Sequence, residues 1–281
     1  VSAGGRIFYI ADESPAASMD IPSNWKLVAR DAFNGILLWK KSISPWSDHL
    51  RRFRSGPVQL PRLLVAENHR VYVPLGANDT LKALDAATGK VVRSFPQAQG
   101  VEEIVVNDGL VFAVTGKPLP EQVIDRKKWQ SVPEQAGQSY PNQKKIKVFR
   151  ASTGEKLWEW ADSRRSRYIP LTLAAADDRV FFQSGEHVLC YDQRTGSQQW
   201  SRLRGEEGKI RRESASIPGS STKLYIDPDE QEGEYQGELL RIPGWSFATL
   251  VCADEVVLSA SQGELIALDS KTGSQLWKTN C

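Results

Sequence analysis

The chain has 281 residues, 40% hydrophobic and 25% charged, with a formal net charge of +2. That is globular composition for one large or two small domains, and a balance so close to neutral excludes a whole-chain field that would draw nucleic acid or anionic lipid. No apolar run approaches the roughly 20 residues of a membrane span, and the start "VSAGGRIFYI" has neither an initiator Met nor a signal-peptide pattern, so the chain is expected to be joined to further sequence.

Short apolar runs punctuated by Gly, Asp and Asn predict strands, and they fall into five units. Unit one, about residues 1–41, opens on "RIFYI" with its innermost strand missing or reduced to "VSAG", and closes on "ARDAFNGILLW" around Gly35. Residues 42–61, "SISPWSDHLRRFRSGPVQLP", form an insertion. Unit two, 62–96, reads "RLLVAE", "RVYVPL", "TLKALDA", "KVVRSF", with "ALDAATGKVVR" around Gly89. Unit three, 101–160, carries the insertion 116–144 between its second and third strands, made basic by "RKKW" and "NQKK", and closes on "VFRASTGEKLW" around Gly154. Unit four, 170–202, reads "PLTLAAAD", "RVFFQS", "HVLCYD", "SQQWSR", with "CYDQRTGSQQW" around Gly196. The insertion 203–246 turns from "KIRRE" to "DPDEQEGEYQGE", and its "TKLYID" and "GELLRI" predict an extra hairpin. Unit five, 247–278, reads "FATLVCA", "EVVLSA", "ELIALDS", "SQLWK", with "ALDSKTGSQLW" around Gly273.

The five glycines are spaced by 54, 65, 42 and 77 residues. The shortest interval matches the roughly 40–45 residues of a four-stranded propeller blade, and the longer ones add insertions. Helical periodicity is nearly absent, so the chain reads as an all-β propeller of four-stranded antiparallel blades, about five here, part of a larger or incompletely closed ring.

The repeated motif has a local physical meaning. Gly supplies the positive φ of a tight hairpin, and an Asp four residues earlier accepts hydrogen bonds from the turn's N–H groups, with Thr as a weaker helper. Asp31, Asp85, Asp192 and Asp269 thus pair with Gly35, Gly89, Gly196 and Gly273, while unit three has Arg150 before Gly154 and unit one has Asn34 in place of Thr. Four near-identical copies argue for structure rather than catalysis. Trp39, Trp158, Trp200 and Trp277 stand four residues after the Gly, and Arg93 breaks the series. A ring with an N–H donor suits a seam between blades, which cannot bury their faces alone. At Arg93 the filler is expected to be Phe95, and the small Ala29, Ala83, Cys190 and Ala267 are expected to leave room toward the axis.

Other chemistry-bearing residues do not gather in sequence. Cys190, Cys252 and Cys281 are far apart, and the first two lie in apolar strands as small hydrophobes. His49, His69 and His187 have no neighbouring ligand pattern. The runs "DHLRRFR" (Asp48–Arg54) and "DSRRSR" (Asp162–Arg167) read as solvated connections. The acidic 227–238 lacks the spacing of a calcium loop, and Gly205–Lys209 is too short for a phosphate loop.

The A-x-D-x-x-T-G-x-x-x-W repeat resembles the pyrroloquinoline-quinone-type (PQQ-like) β-propeller family over nearly the whole chain outside the insertions. The resemblance implies four-stranded blades docked by a Trp on the last strand. It also implies two branches: quinoprotein dehydrogenases that hold PQQ and calcium, and non-enzymatic proteins such as the propeller lipoprotein of the outer-membrane β-barrel assembly machinery. Alcohol-oxidising members of the first branch carry adjacent cysteines, which this chain lacks. The expectation is therefore a non-catalytic, periplasmic binding scaffold without catalytic, metal or cofactor residues. Its protein or peptide partners would be met by loops and strand edges. A PQQ-dependent dehydrogenase and a ligand-sensing module are the alternatives.

Overall fold

The computed structural model describes residues 1–14, 24–44, 60–76, 78–116, 144–161, 163, 168–169, 171–185, 187–204, 215–216, 223–224, 248–261 and 264–280. The protein is an all-β propeller of five four-stranded antiparallel sheets, each laid down in chain order from its inner to its outer strand. Sheet one is β1 (Ser2–Ala3), β2 (Arg6–Asp12), β3 (Trp25–Asp31) and β4 (Leu37–Ser42). Sheet two is β5 (Val65–Glu67), β6 (Arg70–Pro74), β7 (Thr80–Asp85) and β8 (Val91–Gln99). Sheet three is β9 (Val101–Asn107), β10 (Leu110–Thr115), β11 (Lys145–Arg150) and β12 (Lys156–Ala161). Sheet four is β13 (Ala174–Ala176), β14 (Arg179–Ser184), β15 (His187–Asp192) and β16 (Gln198–Leu203). A short pair follows, β17 (Ala215–Ser216) with β18 (Lys223–Leu224). Sheet five is β19 (Thr249–Ala253), β20 (Val256–Ser261), β21 (Glu264–Asp269) and β22 (Gln275–Asn280).

In sheets two, three and four the second and third strands are apolar because both faces are covered. In β10, Leu110, Phe112 and Val114 face sheet four, while Val111 and Ala113 face sheet two. Period-two alternation thus feeds two cores from one strand, so the strand reads as a continuous apolar run. Four core clusters result, one at each seam between consecutive sheets. Among the described residues, no cluster joins sheet five to sheet one. Inner strands β5, β9, β13 and β19 adjoin in turn around the axis. Outer strands are wetter, and every residue of β22 is exposed.

Two details depart from the sequence reading. The lysine and leucine of "TKLYID" pair with Ala215–Ser216 upstream, and "GELLRI" lies outside the described residues. The small Ala29, Cys190 and Ala267 stand directly across from Trp39, Trp200 and Trp277, and Ala83 across from Arg93. Their size makes room for the indole on the neighbouring strand, not for the axis.

Pairing gives every sheet two unlike ends. At one end lie the Asp–Gly hairpins and the tight turns between first and second strands. The other end is marked by Val101, Thr115, Lys145 and Ala161 in sheet three. The segments 15–23, 45–59, 117–143 and 205–247 all attach there, after second or fourth strands.

Candidate functional site

The hairpin end is built by the repeat. Asp85 Oδ1 accepts from the backbone N–H groups of Ala87 (3.1 Å) and Thr88 (2.9 Å) and from Thr88 Oγ1 (2.8 Å). Asp192 and Asp269 repeat the pattern with Thr195 and Thr272. Asp31 makes the two backbone bonds to Phe33 and Asn34. These bonds hold the Asp85, Asp192 and Asp269 carboxyls below their usual range. At Asp85 and Asp269 the leading cause is the Thr hydroxyl, and at Asp192 it is the Thr195 N–H. Unit three replaces this with an ion pair, Arg150 Nε to Glu155 at 3.4 Å.

Three of the hairpins are also receptors for the sheet before them. Trp39 Nε1 donates to the Ala86 carbonyl (3.0 Å), Trp158 Nε1 to Gln193 (2.9 Å) and Trp200 Nε1 to Ser270 (3.0 Å). The same rings lie on Gly89, Gly196 and Gly273. A Cβ there would come within 2.7, 2.6 and 2.7 Å of Trp39, Trp158 and Trp200. The repeat residues are therefore brought together across sheets as Trp–Gly joints. Trp277 is 46% exposed, and among the described residues Gly35 has no atom within 4 Å of its Cβ direction.

The opposite end holds a feature the repeat does not encode. Glu103, on inner strand β9, is 2% exposed. Its Oε1 pairs with Arg62 on the 3-10 turn Leu60–Leu63. Its Oε2 accepts from Tyr168 Oη (2.6 Å) and the Leu171 N–H (2.9 Å). Burial pushes the carboxyl up, against the pull of Arg62, Tyr168 and Leu171. Leu171 holds φ 68, which costs a non-Gly residue on the order of 1–3 kcal/mol unless its surroundings enforce it. Beside this cluster Glu102 pairs with Lys144, at the base of segment 117–143. Thr172 Oγ1 accepts from the Gln183 N–H at 3.0 Å. Glu103 thus clasps the connection entering sheet two, the inner strand of sheet three and the connection entering sheet four. A signal was present in "VEEIVVN": Glu103 shares the inward phase of Val105 and pairs with Val114. A carboxylate in an apolar phase asks for buried partners.

The remaining candidates are dispersed. His69 and His187 are exposed, and His49, the run 48–54, the acidic 227–238 and Cys281 lie outside the described residues. Cys190 and Cys252 pack in the seam between sheets four and five, where burial pushes their thiols up to about 12 and about 11. The described residues contain no group of His, Cys, Asp and Glu placed to hold a metal. A calcium–quinone site needs several converging oxygens. Among the described residues the one carboxylate buried in the core, Glu103, already meets Arg62, Tyr168 and Leu171, so these residues do not fit such a site. Among them, no helix is long and apolar enough to cross a membrane.

Comparison with known proteins follows this geometry. The family described as outer membrane protein assembly factor BamB matches residues 23–143 and 139–281. No curated protein matches the sequence. Among solved structures, a europium-containing methanol dehydrogenase is 11% identical with a TM-score of 0.57, covering 99% of this chain and 49% of its own. A quinohemoprotein alcohol dehydrogenase from Comamonas testosteroni is 15% identical with a TM-score of 0.51, covering 92% of this chain and 41% of its own. BamB from Moraxella catarrhalis is 17% identical with a TM-score of 0.46, covering 90% of this chain and 55% of its own. The chain thus spans about half the length of the structures it matches, and the two dehydrogenase likenesses show the propeller fold alone.

Proposed function

The chain belongs to the family described as outer membrane protein assembly factor BamB, and from that premise we propose that it is a non-catalytic, periplasmic scaffold that holds protein partners during outer-membrane protein assembly. One observation carries the reading: the four segments 15–23, 45–59, 117–143 and 205–247 attach to the same end of the sheets. Connections at one end of a rigid propeller are where such folds place binding residues. The Glu103 clasp fixes the connections at that end, so a partner would meet a preorganised rim. The exposed β22 adds an edge suited to strand addition.

The test is crosslinking to outer-membrane β-barrel assembly components in the source cell, with the amount of folded outer-membrane β-barrel measured in parallel. Removing 117–143 or 205–247 while circular dichroism stays unchanged is expected to abolish the crosslink and lower the folded barrel. Unchanged crosslinking and barrel levels in both deletions would sink the proposal. Incubation with PQQ and calcium, followed by dye reduction with alcohols and aldoses, is expected to show no turnover. Stoichiometric quinone binding with turnover would replace the scaffold with a dehydrogenase.

A further inference from the structure

The three filled joints define what a hairpin receptor takes. In each, an indole lies on a positive-φ glycine, and its N–H meets the carbonyl one residue after the motif Asp. The hairpin of sheet three keeps both receptor parts, Gly154 at φ 78 and the carbonyl of Ala151. Its donor strand β8 supplies Arg93 in place of Trp. Among the described residues the Ala151 carbonyl accepts no hydrogen bond.

An aliphatic stem does not fill the space of a ring. Arg93 Cδ and Cγ stand 3.2 and 3.5 Å from the Cβ direction of Gly154. Beside them a cleft of about 530 Å3 stays open between β8 and the hairpin Thr153–Glu155. Ligand sites run from roughly 300 to 1,000 Å3, so there is room for a ring and part of the chain that carries it. The mouth is apolar, with Val91 and Val92 42% and 38% exposed. Its charge is unbalanced. Arg150 pairs with Glu155 at 3.4 Å, whereas among the described residues the Arg93 guanidinium has no carboxylate and no hydrogen-bond acceptor. Sheets two and three are consecutive and pack through Phe95 and Phe149, so no further sheet can enter between them.

We propose that this cleft binds a tryptophan side chain of a partner protein, on a segment that carries a carboxylate beside it. The ring would pack on Val91 and stack on the Arg93 guanidinium, whose planar cation suits an aromatic face. Its N–H would point toward the Ala151 carbonyl, and the flanking carboxylate would pair with the edge of the guanidinium. Tryptophan is the occupant because the same receptor geometry takes it in three other seams. An acidic flank follows from the cation that the chain itself leaves unpaired. The cleft lies at the hairpin end of the sheets, opposite the four segments, so this inference does not rest on the scaffold reading.

The probe is the peptide acetyl-Glu-Trp-Glu-amide with a 5-fluoroindole, followed by fluorine NMR so that the chain's own nine tryptophans stay silent. Saturable broadening of its resonance is expected with the wild-type chain. Arg93→Trp fills the cleft with an indole of the chain itself, so it should abolish the broadening. Arg93→Ala should weaken binding about tenfold, the size of a lost, partly desolvated cation–π contact. Acetyl-Glu-Ala-Glu-amide should fail to displace the probe, and acetyl-Lys-Trp-Lys-amide should displace it only at higher concentration than the unlabelled Glu-Trp-Glu peptide. No saturable binding to the wild type, or equal binding to the wild type and Arg93→Trp, overturns the proposal. So does displacement by the alanine peptide as efficient as by the tryptophan peptide, which would reduce the site to a charge contact. The readout needs no assembly component, so this inference and the scaffold reading can fail separately.

Discussion

Gly196 meets two demands at one atom. Its φ of 70 suits the hairpin, and the missing Cβ admits Trp158 to within 2.6 Å of where that atom would be. Gly35 meets only the first demand. Gly35→Ala should therefore cost about 1–2 kcal/mol, the usual charge for a left-handed alanine. Gly196→Ala should cost about 2 kcal/mol more, because backbone and ring must part. Urea denaturation of both variants measures the difference, and Gly196→Ala should lose less in a Trp158→Ala background, because the clashing ring is gone. At the same hairpin Asp192 is held below its usual range, first by the Thr195 N–H. A carboxyl lowered on folding stabilises above its unfolded value near 3.8, and that contribution fades as pH falls through the folded value. Asp192→Asn should flatten the acid limb of the stability curve and leave its neutral limb parallel to wild type.

At the scale of the strands, the seam between sheets two and three is the informative exception. Arg93 replaces the docking Trp and Arg150 replaces the motif Asp, so both halves of the joint change together. Phe95 is fully buried deeper in this seam, 5.4 Å from Phe149 edge-to-face. Above it Arg93 Cδ stands 3.2 Å from the Cβ direction of Gly154, and a cleft of about 530 Å3 remains between Val91, Arg93 and Thr153–Glu155. Phe95→Ala should therefore cost about 3–5 kcal/mol, in line with large core truncations. Arg93→Trp should restore the joint, with the indole on Gly154 and its N–H toward the Ala151 carbonyl. A gain of about 1 kcal/mol, read as a higher melting temperature and a smaller cleft in a crystal structure, is the expected result.

Across the whole molecule, stability is a chain of seams, and Glu103 is where two connections are tied to the inner strand of sheet three. Its carboxyl is raised on folding, so its contribution is fully present below the unfolded value near 4.5 and is lost as pH rises through the folded value. The stability of wild type relative to Glu103→Gln should thus fall between mild acid and neutral pH, measured by denaturant titration at each pH; a constant difference would mean the carboxyl is not desolvated. The strands, hairpins and blade count were legible because each rests on neighbours a few residues apart: period-two alternation, an Asp to a Gly four residues on, a Trp four further. The Trp series pointed to seams, but which carbonyl and which glycine each indole meets was settled only by packing. That the long segments attach at one end came from strand direction counted through each sheet. Glu103 was readable only as a misplaced charge, because its partners stand 41, 65 and 68 residues away. Short-range order is written in the sequence, since backbone geometry imposes it locally. The clasp and the Trp–Gly joints depend on burial, which exists only once distant segments exclude water together.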